Sequence, residues 1–166
     1  MRSAVCNRGD LFLRVSLAIV ALAVANLNCG PACAPDRDDA LATVARFKDY
    51  GNKMDQTSAA ALCTDKTTIV DMFSPFLWSG ADACAKWMKA GDAYGAENRI
   101  SDGVVTFGNT PQIVIAGDRA YAAMPTTFTY KIGGRPAAAP LRSVWTYTLQ
   151  KLPAGWRITS LNWGLR

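Results

Sequence analysis

In the run Ser143-Val144-Trp145-Thr146-Tyr147-Thr148-Leu149 the bulky Trp145, Tyr147 and Leu149 alternate with Val144, Thr146 and Thr148. This is the period-two signature of a strand with one face in a core. Pro153-Ala154-Gly155 then turns the chain, and the stretch from Trp156 to Trp163, rich in aromatic and β-branched residues, returns as the second arm of a hairpin. A third long strand is predicted from Arg119 to Lys131. It starts after a Gly117-Asp118 turn, and Gly133-Gly134-Arg135-Pro136 should end it. Gln112 to Ala116 supplies a shorter apolar run on the other side of that turn. Together these segments predict a curved sheet.

Upstream the period changes. Leu41, Val44, Phe47, Tyr50 and Met54 recur every three or four residues, with Asp38 or Asp39 placed to cap the helix they predict and Arg46, Lys48, Asp49 and Lys53 left to solvent. A short helix over Thr57 to Leu62 leads into a strand at Thr67 to Met72, followed by an aromatic loop from Phe73 to Trp78. Ser79 and Asp82 have the spacing of a capping box, and the helix they would start carries Ala83, Trp87 and Met88 inward and ends by Gly91 or Gly95. Glu97 to Asp102 reads as a polar connection before a strand at Val104 to Phe107. Helices first and strands after them predict an α+β fold, the N-terminal helices packed on one face of a curved antiparallel sheet.

At 166 residues and 50% hydrophobic content the chain suits one domain with a substantial core. The net charge of +5 is partly due to Arg2, Arg8 and Arg14 in the N-terminal segment. The remaining basic residues are scattered, so no nucleic-acid partner is expected. Histidine is absent. That removes Ser-His and Cys-His nucleophile pairs, histidine bases and most mixed-ligand zinc sites. Neither a metal nor an organic cofactor is indicated.

The three arginines precede an apolar run from Val15 to Ala25 that ends in Ala23-Val24-Ala25, the layout of a cleavable export signal. Residues 1–25 are therefore expected to be a signal peptide, 26–37 a linker containing Ala34-Pro35-Asp36-Arg37, and 38–166 the folded domain. The expected location is periplasmic or secreted, with no membrane association after signal removal. Lipid attachment at Cys29 or Cys33 and an uncleaved anchor are the less favoured outcomes. Cleavage after Ala25 would leave Cys29, Cys33, Cys63 and Cys84 in an oxidising compartment, where three pairings are open. Cys63 with Cys84 is the expected pair; free thiols are the competing reading, and the spacing does not suit a metal knuckle.

The chain resembles the nuclear transport factor 2-like (NTF2-like) superfamily in its SnoaL-like branch. The resemblance covers roughly Asp38 to Trp163. It is carried by Ile69-Val70-Asp71 through Trp78-Ser79-Gly80 to Trp87, by Gly117-Asp118-Arg119-Ala120-Tyr121, and by Gly155-Trp156-Arg157-Ile158. It implies a cone-shaped domain with a pocket between helices and sheet, and the possibility of a homodimer formed through the sheet. In the ketosteroid isomerase branch, a segment similar to Thr68-Ile69-Val70-Asp71 carries a carboxylate general base at the position of Asp71. Burial would raise the pKa of such a carboxylate and suit it to proton abstraction. The oxyanion-donating tyrosine of that branch would fall at Phe47 and its protonated acid near Arg142. Both positions depart from the pattern, and Phe47 cannot donate a hydrogen bond.

Asp71 is thus the candidate catalytic residue. Its structural alternative is a carboxylate bonded to loop amides or paired with an arginine such as Arg142. Phe47, Tyr50, Trp78, Trp87, Tyr121, Arg142 and Trp145 are expected to line the ligand pocket, although each ring taken singly is better explained by core packing. Three functions remain open: binding of a small, largely apolar molecule, which is favoured; a cofactor-independent isomerase, cyclase or dehydratase with Asp71 as base; and a non-catalytic dimerisation or interaction module with a filled interior.

Overall fold

The computed structural model describes residues 33–165; the expected signal segment and Cys29 lie outside them. In chain order the elements are α1 (Cys33–Asn52), α2 (Gln56–Ala60), β1 (Cys63–Val70), β2 (Leu77–Ser79), α3 (Ala83–Glu97), β3 (Ile100–Phe107), β4 (Gln112–Ala116), β5 (Arg119–Ile132), β6 (Arg135–Pro136), β7 (Leu141–Leu152) and β8 (Gly155–Leu165). The strands form one sheet in the order β2-β1-β8-β7-β5-β3, with β4 and β6 also paired to β5. The α+β class therefore holds.

The three long strands predicted from alternation are β5, β7 and β8, adjacent and antiparallel. Tyr147 and Leu149 are almost fully buried while Thr148, between them, is exposed. The β4–β5 hairpin turns at Gly117, whose φ of 59° suits a residue without Cβ. A two-residue strand, β6, follows the Gly133-Gly134 turn that was expected to end regular pairing.

One edge of the sheet departs from the antiparallel expectation. β1 pairs with β8 in parallel, and β2 then pairs antiparallel with β1, so the sheet is mixed. Nothing local encodes this. A strand's own alternation says which side is buried but not which distant strand lies beside it or in which direction.

The helix boundaries also move. α1 begins at Cys33, so residues 33–37 of the expected linker belong to the start of this helix, while 26–32 lie outside the described residues; Pro35 is tolerated there because first-turn amides have no partner within the helix, and Asp36 suits the positive helix end. Its buried face is Ala40, Thr43, Val44 and Phe47, with Leu41 only partly buried and Met54 exposed. Small residues at 40 and 43 let the helix sit close to the core. α2 starts one residue early, capped by the Asp55 carboxylate, which accepts from the Ser58 amide. The Ser79 capping box does not form. α3 starts at Ala83, and the Asp82 side chain makes no cap bond but an exposed ion pair with Lys86 at 3.5 Å. α3 also runs through Gly91 and Gly95 to Glu97, and β3 takes up part of the stretch expected to be a polar connection.

The core is one cluster of buried apolar side chains, including Val44, Phe47, Ile69, Tyr147, Leu149, Ile158 and Leu161. Each large apolar side chain of that kind contributes about 1.5–3 kcal/mol by leaving water. Cys63 and Cys84 are joined in a disulfide with a Cα separation of 6.6 Å, which ties the start of β1 to the first turn of α3. α1 packs on β8, β3 and β4, and α3 on β1, β2 and β3. The space left between the ends of these helices and the sheet is the site.

Candidate functional site

A cavity of about 520 Å³ opens between the C-terminal end of α1, the loop after β1, α3, and the inner faces of β3, β5, β7 and β8. Its walls are largely apolar. Phe47 comes from α1, Phe73 from the β1–β2 loop, Trp87, Met88 and Tyr94 from α3, and Phe128, Leu141, Trp145 and Trp163 from the sheet. That volume lies within the usual range for small-molecule sites.

The rings are organised about Trp87. It stacks on Phe47 with centroids 6.0 Å apart and meets Trp145 edge-on at 6.1 Å. Phe73 stacks on Tyr94 at 5.5 Å. Gly91, one α3 turn before Tyr94, lets the helix approach Phe73: a Cβ there would meet the ring at 3.4 Å.

Asp71 follows directly on β1, and its carboxylate lines the cavity. Oδ1 accepts from the Met72 amide at 2.6 Å and Oδ2 from the Trp87 indole N–H at 2.8 Å. Burial pushes its pKa above the ordinary carboxylate value, and the two hydrogen bonds pull back against that shift. No salt bridge joins Asp71 to a cation among the described residues. The loop-amide alternative is thus realised in part, while the arginine pairing is absent. Arg142 stands exposed on the opposite face of β7 from Ser143, which is buried.

The structure separates the remaining expected lining residues. Phe47, Trp87 and Trp145 reach the cavity together with Asp71. Tyr50 packs against the core. Trp78 lies in β2 rather than in a loop and is buried against Phe73. Tyr121 is on the outer face of β5, 45% exposed, beside a separate small depression, because the inner positions there belong to Ala120 and Ala122.

Asn52 was missed by sequence reasoning. Its amide nitrogen donates to the Val105 carbonyl at 2.8 Å and its carbonyl accepts from the Val105 amide at 2.9 Å, so it pins the end of α1 to β3. An asparagine in the last turn of a helix was the only available signal. Gly103 was missed as well. It sits where the β3–β5 register slips between Ser101 and Val104, with the Phe128 ring over it.

A row of polar groups runs along the inward face of β7. Ser143 Oγ, Trp145 Nε1 and the Tyr147 hydroxyl are buried and have no hydrogen-bond partner among the described residues. Tyr147 lies edge-on to Phe47 at 6.3 Å, and its burial pushes the phenol pKa well up.

Among solved structures the chain is similar to an NTF2-like protein with a cystatin-like fold from Novosphingobium aromaticivorans, at 18% identity and a TM-score of 0.66 over 86% of this chain and 89% of that one. The chain has the NTF2-like fold. A ketosteroid isomerase-like protein from Erwinia carotovora atroseptica is also similar, at 16% identity and a TM-score of 0.59, over 76% of this chain and 92% of that one. No protein-family model and no curated protein matches the sequence. At these identities the likeness establishes the NTF2-like architecture and leaves the chemistry to the side chains described above.

Proposed function

We propose that this chain binds a small, largely apolar molecule in the cavity between its helices and its curved sheet. The observation that carries this reading is the cavity itself: about 520 Å³, walled mainly by aromatic and aliphatic side chains, with Asp71 as a polar group held in a defined orientation by two hydrogen bonds. An interior filled with side chains, as an interaction module would have, does not agree with that space. Native mass spectrometry of the protein recovered from its host tests the reading. A retained small-molecule mass that is lost in Trp145→Ala supports it, and a clean polypeptide mass that also fails to bind any of a panel of neutral aromatic probes refutes it.

A second reading is favoured by one observation. Asp71 is a carboxylate with a raised pKa at the wall of an apolar cavity, which suits a general base for proton transfer in an isomerase, cyclase or dehydratase. Phe47 weighs against it, since it cannot supply a donor to a developing oxyanion, and Tyr147, whose ring meets Phe47 edge-on, is not among the residues lining the cavity. Turnover that Asp71→Asn abolishes while ligand binding persists would establish it. Export to an oxidising compartment is supported by the Cys63–Cys84 bridge and by the sequence of residues 1–25. Dimerisation through the sheet belongs to the same proposal, and light scattering coupled to gel filtration measures it.

A further inference from the structure

We propose that the cavity takes an organic cation, an amine or quaternary ammonium head carried on an apolar body. The inference rests on the binding function proposed above and names the chemical class of its ligand. Its first ground is the partnership of Asp71. Both oxygens bond to N–H groups of neutral residues, and no lysine or arginine among the described residues forms an ion pair with it. Desolvation penalises the charged carboxylate in that state, and a cation entering the cavity would supply the missing countercharge.

The second ground is independent. The cavity that the carboxylate lines is also walled by Phe47, Phe73, Trp87, Tyr94, Trp145 and Trp163, and aromatic faces attract cations within about 6 Å of their centroids. An aromatic box with a carboxylate in its wall is the combination that recognises an alkylammonium head. A neutral hydrocarbon would use the rings and leave Asp71 without a countercharge.

The charged groups on the cavity are predominantly acidic. Asp92 of α3 accepts from the Gln56 amide at 2.6 Å, and Asp102 of β3 pairs with Lys131 at 2.8 Å. Tyr94 of α3 also lines the wall. The cation of the wall is Lys48 of α1, held by Asp49 at 2.6 Å and placed over the Phe107 ring. The site is therefore lined by three carboxylates and one lysine, against a net positive chain.

The test compares two probes of the same shape, 2-(aminomethyl)naphthalene and 2-(hydroxymethyl)naphthalene, by isothermal titration calorimetry on the disulfide-bonded protein at neutral pH. We expect the amine to bind at least tenfold more tightly and that ratio to fall below about threefold in Asp71→Asn. Should that variant fail to fold, the unmodified protein answers the same question. The amine stays charged throughout, so its preference should shrink as pH falls and Asp71 takes up a proton. Equal affinities for the two probes at every pH overturn the cation inference and leave the apolar-binding reading standing. Failure of both probes to bind overturns the two together.

Discussion

Removing the Cys63–Cys84 bridge is the perturbation whose size the structure sets most directly. The crosslink spans 21 residues of sequence, and closing a loop of that length in the unfolded chain is worth about 3 kcal/mol at 25 °C in the chain-entropy account. Cys84 is 1% exposed, so replacing both cysteines with alanine also gives up some sulfur packing, on the order of 1 kcal/mol. For a domain of this size the sum corresponds to a fall in Tm of roughly 10–15 °C. The assay is thermal unfolding by circular dichroism on the oxidised protein, the same protein reduced, and the Cys63→Ala/Cys84→Ala variant. The bridge fastens β1 to the first turn of α3, and Asp71, directly after β1, meets Trp87 of α3 in the cavity. Reduction should therefore also weaken ligand retention. A Tm that moves by less than about 3 °C on reduction and on double substitution would refute the reasoning, because the unfolded chain would then gain no freedom from losing the crosslink.

Three further outcomes are expected. Asp71 has a raised folded pKa, so its contribution to stability is present below the ordinary carboxylate value and is lost as pH rises through the raised one; Trp87→Phe, by removing a bond that favours the charged form, should raise that pKa further, measured by the carboxyl carbon shift through a pH titration. Asn52→Ala leaves the Val105 amide and carbonyl without the partners they have in the folded chain and should cost about 2–3 kcal/mol in urea unfolding. Gly103→Ala would place a Cβ 2.7 Å from the Phe128 ring, so it should destabilise the fold by roughly 1–3 kcal/mol and displace a cavity wall, lowering probe affinity in calorimetry.

The long strands and the turns at Gly117-Asp118 and Pro153-Ala154-Gly155 were legible in the chain because each is written in neighbours two to four positions apart; the α+β class followed from the order of the elements, and the NTF2-like resemblance from family motifs such as Ile69-Val70-Asp71 through Trp78-Ser79-Gly80 to Trp87. Alternation assigned Trp145, Tyr147 and Leu149 to one face of β7, and steric rules for turns bounded the hairpins. The same short-range signals placed Asp71 at the end of a strand ahead of an aromatic loop. They also misled. Tyr121 looked like a wall residue because it is large and aromatic, yet the inner positions of β5 belong to Ala120 and Ala122, and Tyr121 faces outward.

Only the tertiary structure decided which inward-facing residues become core and which become cavity wall. Trp78, expected in a loop, and Trp87, expected on a helix, were both expected to line the pocket; one is buried in β2 and the other lines the open space with its indole on Asp71. That difference depends on where α1 and α3 stop along the sheet, and on Asn52 fastening the end of α1 to Val105, fifty-three residues away. The parallel pairing of β1 with β8 is of the same kind. Local sequence determines the faces of an element through its backbone period, whereas the partner of each face is selected by burial summed over the whole chain.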